Sequence, residues 1–153
     1  MITTKRLKIY PASDSQMGSL IAMQTVPELK EVYTQMLDGC KIHPEKREWY
    51  ALWNIELKDG SDTLIGNLSF KGLDEDGTVE IGYGTNEGFE NKGYMTEAVT
   101  ATALWASLQN GVKQIEAEAE EDNTASIRVL EKSGFIPNGK RGEEGPRFIW
   151  QPK

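Results

Sequence analysis

Glu80-Ile81-Gly82-Tyr83-Gly84, followed by Phe89-Glu90-Asn91-Lys92-Gly93-Tyr94-Met95-Thr96-Glu97-Ala98, is the stretch from which the rest of the chain can be ordered. The first five residues belong to a strand that begins at Thr78. The second block places a glycine just ahead of a helical run, Ala98, Val99, Thr102, Leu104, Trp105 and Leu108, which stops at Gly111. At such a helix start the backbone N–H groups are unsatisfied and the helix dipole favours an anion. Gly93 puts no side chain in the way of a phosphate. Taken alone, the segment is explained equally well as an ordinary strand–loop–helix connection. Two nucleotide motifs fail here. Gly82-x-Gly84-x-x-x-Gly88 has its third glycine one residue late for a dinucleotide fold, and the Gly88-to-Gly93 spacing is followed by Tyr94 where a P-loop needs lysine.

Upstream, Leu64 to Phe70 reads as another strand, with Asp74-Glu75-Asp76-Gly77 as the turn between them. Trp49, Ala51, Trp53, Ile55 and Leu57 recur every second residue up to a turn at Asp59-Gly60. These three strands form an antiparallel meander. Nearer the start, Leu7-Lys8-Ile9-Tyr10 is a short strand ended by Pro11, and Asp14 caps a helix carrying Met17, Leu20, Ile21 and Met23. Pro27 opens a second helix with Leu29, Val32, Tyr33, Met36 and Leu37 before Gly39, and residues 40–48 read as irregular or weakly helical. Downstream, Ile115 to Glu120 alternates strictly as a strand. Asn123 caps a helix bearing Ile127, Val129 and Leu130, Gly134 closes it, and Arg147 to Trp150 is a last strand. The order strand, two helices, three strands, helix, strand, helix, strand predicts an α+β fold: a mixed, mainly antiparallel sheet with helices on both faces, in one domain over residues 1–153.

Composition narrows the function classes. The 153 residues include 17 Lys+Arg, 24 Asp+Glu, one His and one Cys, for a net charge of −7. That balance speaks against nucleic acid or anionic membrane as partner, since neutralising phosphates takes clustered cations. One His and one Cys exclude a His/Cys metal site, and Cys40 has no partner for a disulfide. No apolar run approaches the ~20 residues of a membrane helix, and Met1 to Ile9 lacks the apolar core of a signal peptide. A cytoplasmic protein is expected. His43 reads as a loop residue, Cys40 as a bystander thiol, and Trp49, Trp53 and Trp105 as core.

A later block, Asn123-Thr124-Ala125-Ser126 with Glu131-Lys132-Ser133-Gly134-Phe135, completes a pattern. With Glu80-Ile81-Gly82-Tyr83 and Glu90-Asn91-Lys92-Gly93-Tyr94-Met95 in that order, the sequence resembles the GNAT superfamily of N-acetyltransferases. Within it, the likeness is to the Rim-type branch, which acetylates ribosomal-protein N-termini and other amines. The resemblance implies a GNAT-like fold with acetyl-CoA as co-substrate, lying between the strand at Glu80–Tyr83 and the strand at Ile115–Ala119. Backbone groups of Ile81 and Tyr83 would hold the pantetheine. The N–H groups of Asn91, Lys92, Gly93, Tyr94, Met95 and Thr96 would cradle the pyrophosphate, and Asn123 would bond the cofactor arm near its thiol end.

Acetyl transfer needs an amine that loses its proton, a donor for the oxyanion and a proton or hydrogen bond for the leaving thiolate. Glu80 is the candidate base, acting through water. Ser126 is the candidate donor to the thiolate, with Asn123 orienting the site. Three departures from the family pattern stand out: Glu90 replaces Gln or Arg, Met95 replaces a small residue, and Leu130 stands where many relatives carry a tyrosine acid. The acidic run Glu116, Glu118, Glu120, Glu121, Asp122 would attract a cationic acceptor if part of it faces the cleft, with Glu118 the residue to test. The expected activity is direct transfer from acetyl-CoA to a primary amine, on a peptide N-terminus or a small molecule, and a homodimer is common among relatives. The alternative is a non-catalytic acetyl-CoA-binding or protein-interaction module on the same scaffold.

Overall fold

The computed structural model describes residues 1–151. Its strands are Ile2–Thr3 (β1), Leu7–Pro11 (β2), Leu52–Leu57 (β3), Leu64–Leu73 (β4), Thr78–Thr85 (β5), Gln114–Glu118 (β6), Phe135–Arg141 (β7) and Pro146–Trp150 (β8). The helices are Asp14–Met23 (α1), Pro27–Ile42 (α2), Arg47–Tyr50 (α3), Tyr94–Ser107 (α4) and Thr124–Lys132 (α5), with a 3-10 turn at Pro44–Lys46. The strands form one mixed sheet in the order β1-β2-β3-β4-β5-β6-β8-β7. All neighbours run antiparallel except β5 and β6, which α4 connects.

The β5–β6 pairing sets up the site. It covers Thr78↔Gln114, Val79↔Ile115 and Glu80↔Glu116 and goes no further among the described residues. Past that point β5 stays with β4, through Gly82↔Ser69, Tyr83↔Leu68 and Gly84↔Asn67. β6 stays with β8, through Ala117↔Phe148 and Glu118↔Arg147. Each strand follows its own antiparallel partner, so the two splay apart and leave a wedge in the middle of the sheet.

Strand alternation then sorts residues onto two faces. Leu7, Ile9, Trp53, Ile55, Val79, Ile81, Ile115 and Ala117 are buried in the main core with Ala98, Val99 and Ala103 of α4 and Leu130 of α5. Trp49, Trp53, Phe70 and Trp105 meet there as an aromatic cluster, with centroids 5.0–6.1 Å apart. On the opposite face α1 and α2 cover a smaller core of Ala12, Met17, Cys40, Ala51 and Leu52. Helices therefore lie on both faces, as the element order requires.

Four details depart from the sequence reading. Trp49 and Ala51 precede the strand: Trp49 sits in α3, and its ring reaches the core from there. Ser13, not Asp14, caps α1, in a capping box with Gln16, while Asp14 in the first turn pairs with Arg47 at 2.6 Å. α2 continues through Gly39 to Ile42 because the glycine there answers packing, not a stop: a Cβ on Gly39 would lie 2.7 Å from Tyr50 Cδ1. β1 and β7 were not foreseen. β7 contains Pro137 and Gly139, which argue against a strand, but it lies at the sheet edge, where a missing donor costs little.

Candidate active site

The loop ahead of α4 is shaped by backbone conformation. Asn91 and Gly93 both take positive φ, 59° and 78°, and Gly93 is the N-cap of α4 with no side chain capping the helix. The first N–H to turn back is that of Glu97, to the Gly93 carbonyl at 3.1 Å. Gly93, Tyr94, Met95 and Thr96 at the helix start, whose N–H groups have no partner within the helix, line a cavity of about 520 Å³. Tyr83, Glu90, Asn91, Gly93, Met95 and Thr96 line one side of it, and Asn123, Ser126, Arg128 and Lys132 line the other. Arg128 and Lys132 are four residues apart on α5 and add two cations opposite the helix dipole. They offset Glu90, whose carboxylate is the one negative side chain in the lining.

Met95 is accommodated from within. Its side chain is buried and its Cε fills the space beside Gly66, where a Cβ would come within 3.1 Å of it and closer still to the Gly84 carbonyl. The larger residue thus goes into the core, and its backbone is left to the cavity. Lys92 does not line the cavity; its carbonyl turns back to accept from Arg6 Nη1 at 3.0 Å. Arg6 braces the whole loop. Its Nε donates to Glu97 at 2.7 Å, its guanidinium lies 4.4 Å from the Tyr94 ring centroid, and Glu97 also accepts from the Arg6 N–H and the Thr4 hydroxyl. Burial raises the Glu97 carboxyl, but those hydrogen bonds outweigh it and hold it below the usual carboxylate range.

A second cavity of about 260 Å³ lies against the splayed strands, lined by Lys71, Glu80, Ile81, Tyr83, Glu118, Glu120, Asn123, Ser126 and Glu144 among others. Strand alternation carries Glu80, Glu116 and Glu118 to the face away from α4, and Arg147 of β8 joins them there. Arg147 Nη2 donates to Glu80 and Nη1 to Glu118, both at 2.7 Å, and Nε lies 3.7 Å from Glu116. Lys71 holds the other Glu80 oxygen at 2.8 Å. Burial raises the Glu80 carboxyl, yet the bonds from Lys71 and Arg147 prevail and set it below its ordinary range. The second Glu118 oxygen accepts the Glu144 N–H at 2.8 Å and so ties down the turn between β7 and β8. Glu118 is therefore engaged in the frame while it also lines this cavity. Glu120 and Glu144 carry no ion pair among the described residues.

The three residues singled out for catalysis come together in this second lining. Asn123 Oδ1 accepts from the Ser126 N–H at 3.1 Å and caps α5, which leaves the amide nitrogen free to donate. The Tyr83 hydroxyl lies 2.9 Å from the Ser126 carbonyl oxygen and 3.0 Å from Ser126 Oγ. Burial pushes its phenol up to about 12. Ile81 is buried, so only its backbone reaches the wedge. Arg6, Lys71, Arg128, Lys132 and Arg147 escaped the sequence reading; the spacing of Arg128 and Lys132 was the one signal that could have found a pair of them.

The helix start, the glycine without a Cβ and the two cations fit a diphosphate, and the wedge fits an extended arm. Comparison with known proteins gives the family. The model of the GNAT acetyltransferase domain matches residues 6–136. The uncharacterised N-acetyltransferase YjdG of Bacillus subtilis is 41% identical over 92 residues, 60% of this chain and 54% of that protein, so the chain spans about half its length. YnaD of the same organism is 29% identical over 145 residues, 90% of this chain and 84% of the other. Among solved structures, RimL, a ribosomal L7/L12 alpha-N-protein acetyltransferase in complex with coenzyme A, superposes with a TM-score of 0.73 at 17% identity, over 96% of this chain and 93% of that one, a likeness of fold. No helix among the described residues is long and apolar enough to cross a membrane. The chain belongs to the GNAT acetyltransferase family.

Proposed function

We propose that this chain transfers acetyl from acetyl-CoA to a primary amine carried by a cationic acceptor, a peptide N-terminus or a small polyamine-like molecule. One observation carries the reading: two cavities of opposite character meet at Tyr83, Asn123 and Ser126. The larger offers helix N–H groups and cations suited to a diphosphate. The smaller is lined by four carboxylates and the ammonium of Lys71; Arg147 pairs with Glu80 and Glu118, which leaves Glu120 and Glu144 without an ion pair among the described residues. Acetyl-CoA supplies the acetyl as a thioester, whose C–S bond breaks as the amine nitrogen bonds to the carbonyl carbon.

The N–H groups of Asn91 and of Gly93 to Thr96 hold the pyrophosphate, with Arg128 and Lys132 alongside; Lys92, outside the cavity lining, takes no part. Backbone groups of Ile81 and Tyr83 align the pantetheine, and the Asn123 amide donates to its arm. Ser126 donates to the thiolate. Glu80 takes up the amine's proton through water. Lys71 and Arg147 hold its carboxyl below the usual range, which makes it a weaker base, so its orientation of that water carries part of the effect. Glu120 and Glu144, which make no ion pair among the described residues, attract the acceptor.

The test is thiol release from acetyl-CoA across a panel of neutral, acidic and cationic amines. Cationic amines are expected to be preferred. Glu80→Gln is expected to lower turnover by about 10²-fold, the low end of general acid–base effects. Release that no amine accelerates would refute transfer and favour the binding module.

A further inference from the structure

Tyr83 and Ser126 face each other where the two cavities join. The Tyr83 ring leaves β5 three residues past the last β5–β6 pair and crosses the wedge to the first turn of α5. Its hydroxyl is within hydrogen-bond distance of two Ser126 atoms at once, the carbonyl oxygen and Oγ. A phenol has a single proton. Given to the carbonyl, it leaves Oη as an acceptor for the Ser126 hydroxyl. Given to Oγ, it frees the Ser126 proton for a third group. The same heavy-atom positions therefore support two proton arrangements. Leu130, further along α5, is buried and has no hydroxyl to offer.

We propose that Tyr83 is a positioning residue for the leaving thiolate: it holds Ser126 Oγ at the junction and, by turning its own proton from the Ser126 carbonyl onto Oγ, directs the Ser126 hydroxyl at the CoA sulfur as charge develops there. No proton changes owner in this step. Two hydroxyl hydrogens rotate, and an O–H···O bond is exchanged for an O–H···S⁻ bond. Burial keeps the phenol protonated through the range in which a thiol ionises. The proposal rests on the reading that puts the thiol end of the cofactor beside Ser126.

The experiment reads binding and not turnover. CoA and desulfo-CoA, which lacks the sulfur, are titrated onto the wild type, Tyr83→Phe, Ser126→Ala and the double variant, from neutral to alkaline pH. The wild type should come to prefer CoA by about tenfold as the thiol ionises, the scale of one hydrogen bond to a charged group. Each single variant should lose that preference, the double variant should lose no more, and desulfo-CoA affinity should stay level throughout. If Tyr83→Phe weakens both ligands equally, or keeps the preference while Ser126→Ala abolishes it, Tyr83 does not act through Ser126 and the proposal falls while the role of Ser126 stands. If Ser126→Ala keeps the preference, the reading of Ser126 falls and takes the proposal with it.

Discussion

Arg147→Met removes the one cation among the described residues that reaches all three acidic strand residues. Its side chain is 22% exposed, against 18% for Glu80, 8% for Glu118 and 15% for Glu116. Deleting one partner of a fully buried pair costs about 3–5 kcal/mol, because the other charge is stranded. Here the carboxylates keep some water, Glu80 retains Lys71 and Glu118 retains the Glu144 N–H. A loss of about 2–3 kcal/mol is the reasonable scale at neutral pH. For a chain of this size that is roughly 5–10 °C in Tm. The pH dependence makes the test specific. A Glu80 carboxyl held below its unfolded value of 4.5 contributes stability that is present above that pH and lost as pH falls through the folded value. The wild type should therefore surrender this contribution in acid, while Arg147→Met has already lost most of it, so the gap between the two should close. Urea unfolding at pH 7 and near pH 4 measures both. A gap under about 1 kcal/mol at pH 7, or one that is undiminished in acid, would show that Arg147 does not hold the splayed strands together by charge.

Arg6→Ala should unbrace the loop ahead of α4. Loss of the half-exposed pair with Glu97 and the contact with Tyr94 should cost about 1–2 kcal/mol of stability, and acetyl-CoA affinity measured by calorimetry should fall roughly fivefold as the loop gains freedom; unchanged affinity would show that the loop holds its shape unaided. Cys40 is 1% exposed, and burial pushes its thiol up. Its reaction with an aromatic disulfide should run roughly 10²-fold slower than a free thiol until denaturant is added, and fast labelling of the folded protein would contradict the packing between α1 and α2.

What could be foreseen in the fold was whatever local chemistry decides. The alternation from Ile115 to Glu120 and the helical spacing from Ala98 to Leu108 commit their segments without help. Trp49 misled because a residue just before a strand can continue its period of two while sitting in a helical turn, and only the ring's place among Trp53, Phe70 and Trp105 shows why it sits there. Phe135 to Arg141 was missed because a strand with Pro137 and Gly139 makes sense only at an edge, and edge status belongs to the sheet as a whole.

The site divides along the same line. Backbone-driven parts, the Gly93 turn and the Asn123 cap, are visible from residue type and order. The electrostatic frame is not: Arg6 meets Glu97 across 91 residues and Arg147 meets Glu80 across 67. That frame changes what the acidic strand means. Alternation alone offers Glu116, Glu118 and Glu120 as equivalent attractors for a cationic amine. Arg147 claims the first two together with Glu80, and the turn before β8 closes over Glu118. The carboxylates of this cavity that make no ion pair among the described residues are the exposed Glu120 and Glu144, the ones the proposed acceptor would meet. Ions locked at the base of a wedge hold its strands at a fixed separation, whereas unpaired charges at its mouth act on what approaches. Whether a guanidinium reaches it therefore separates one carboxylate from the next: Arg147 ties Glu80, Glu116 and Glu118 into the frame and leaves Glu120 and Glu144 outside it.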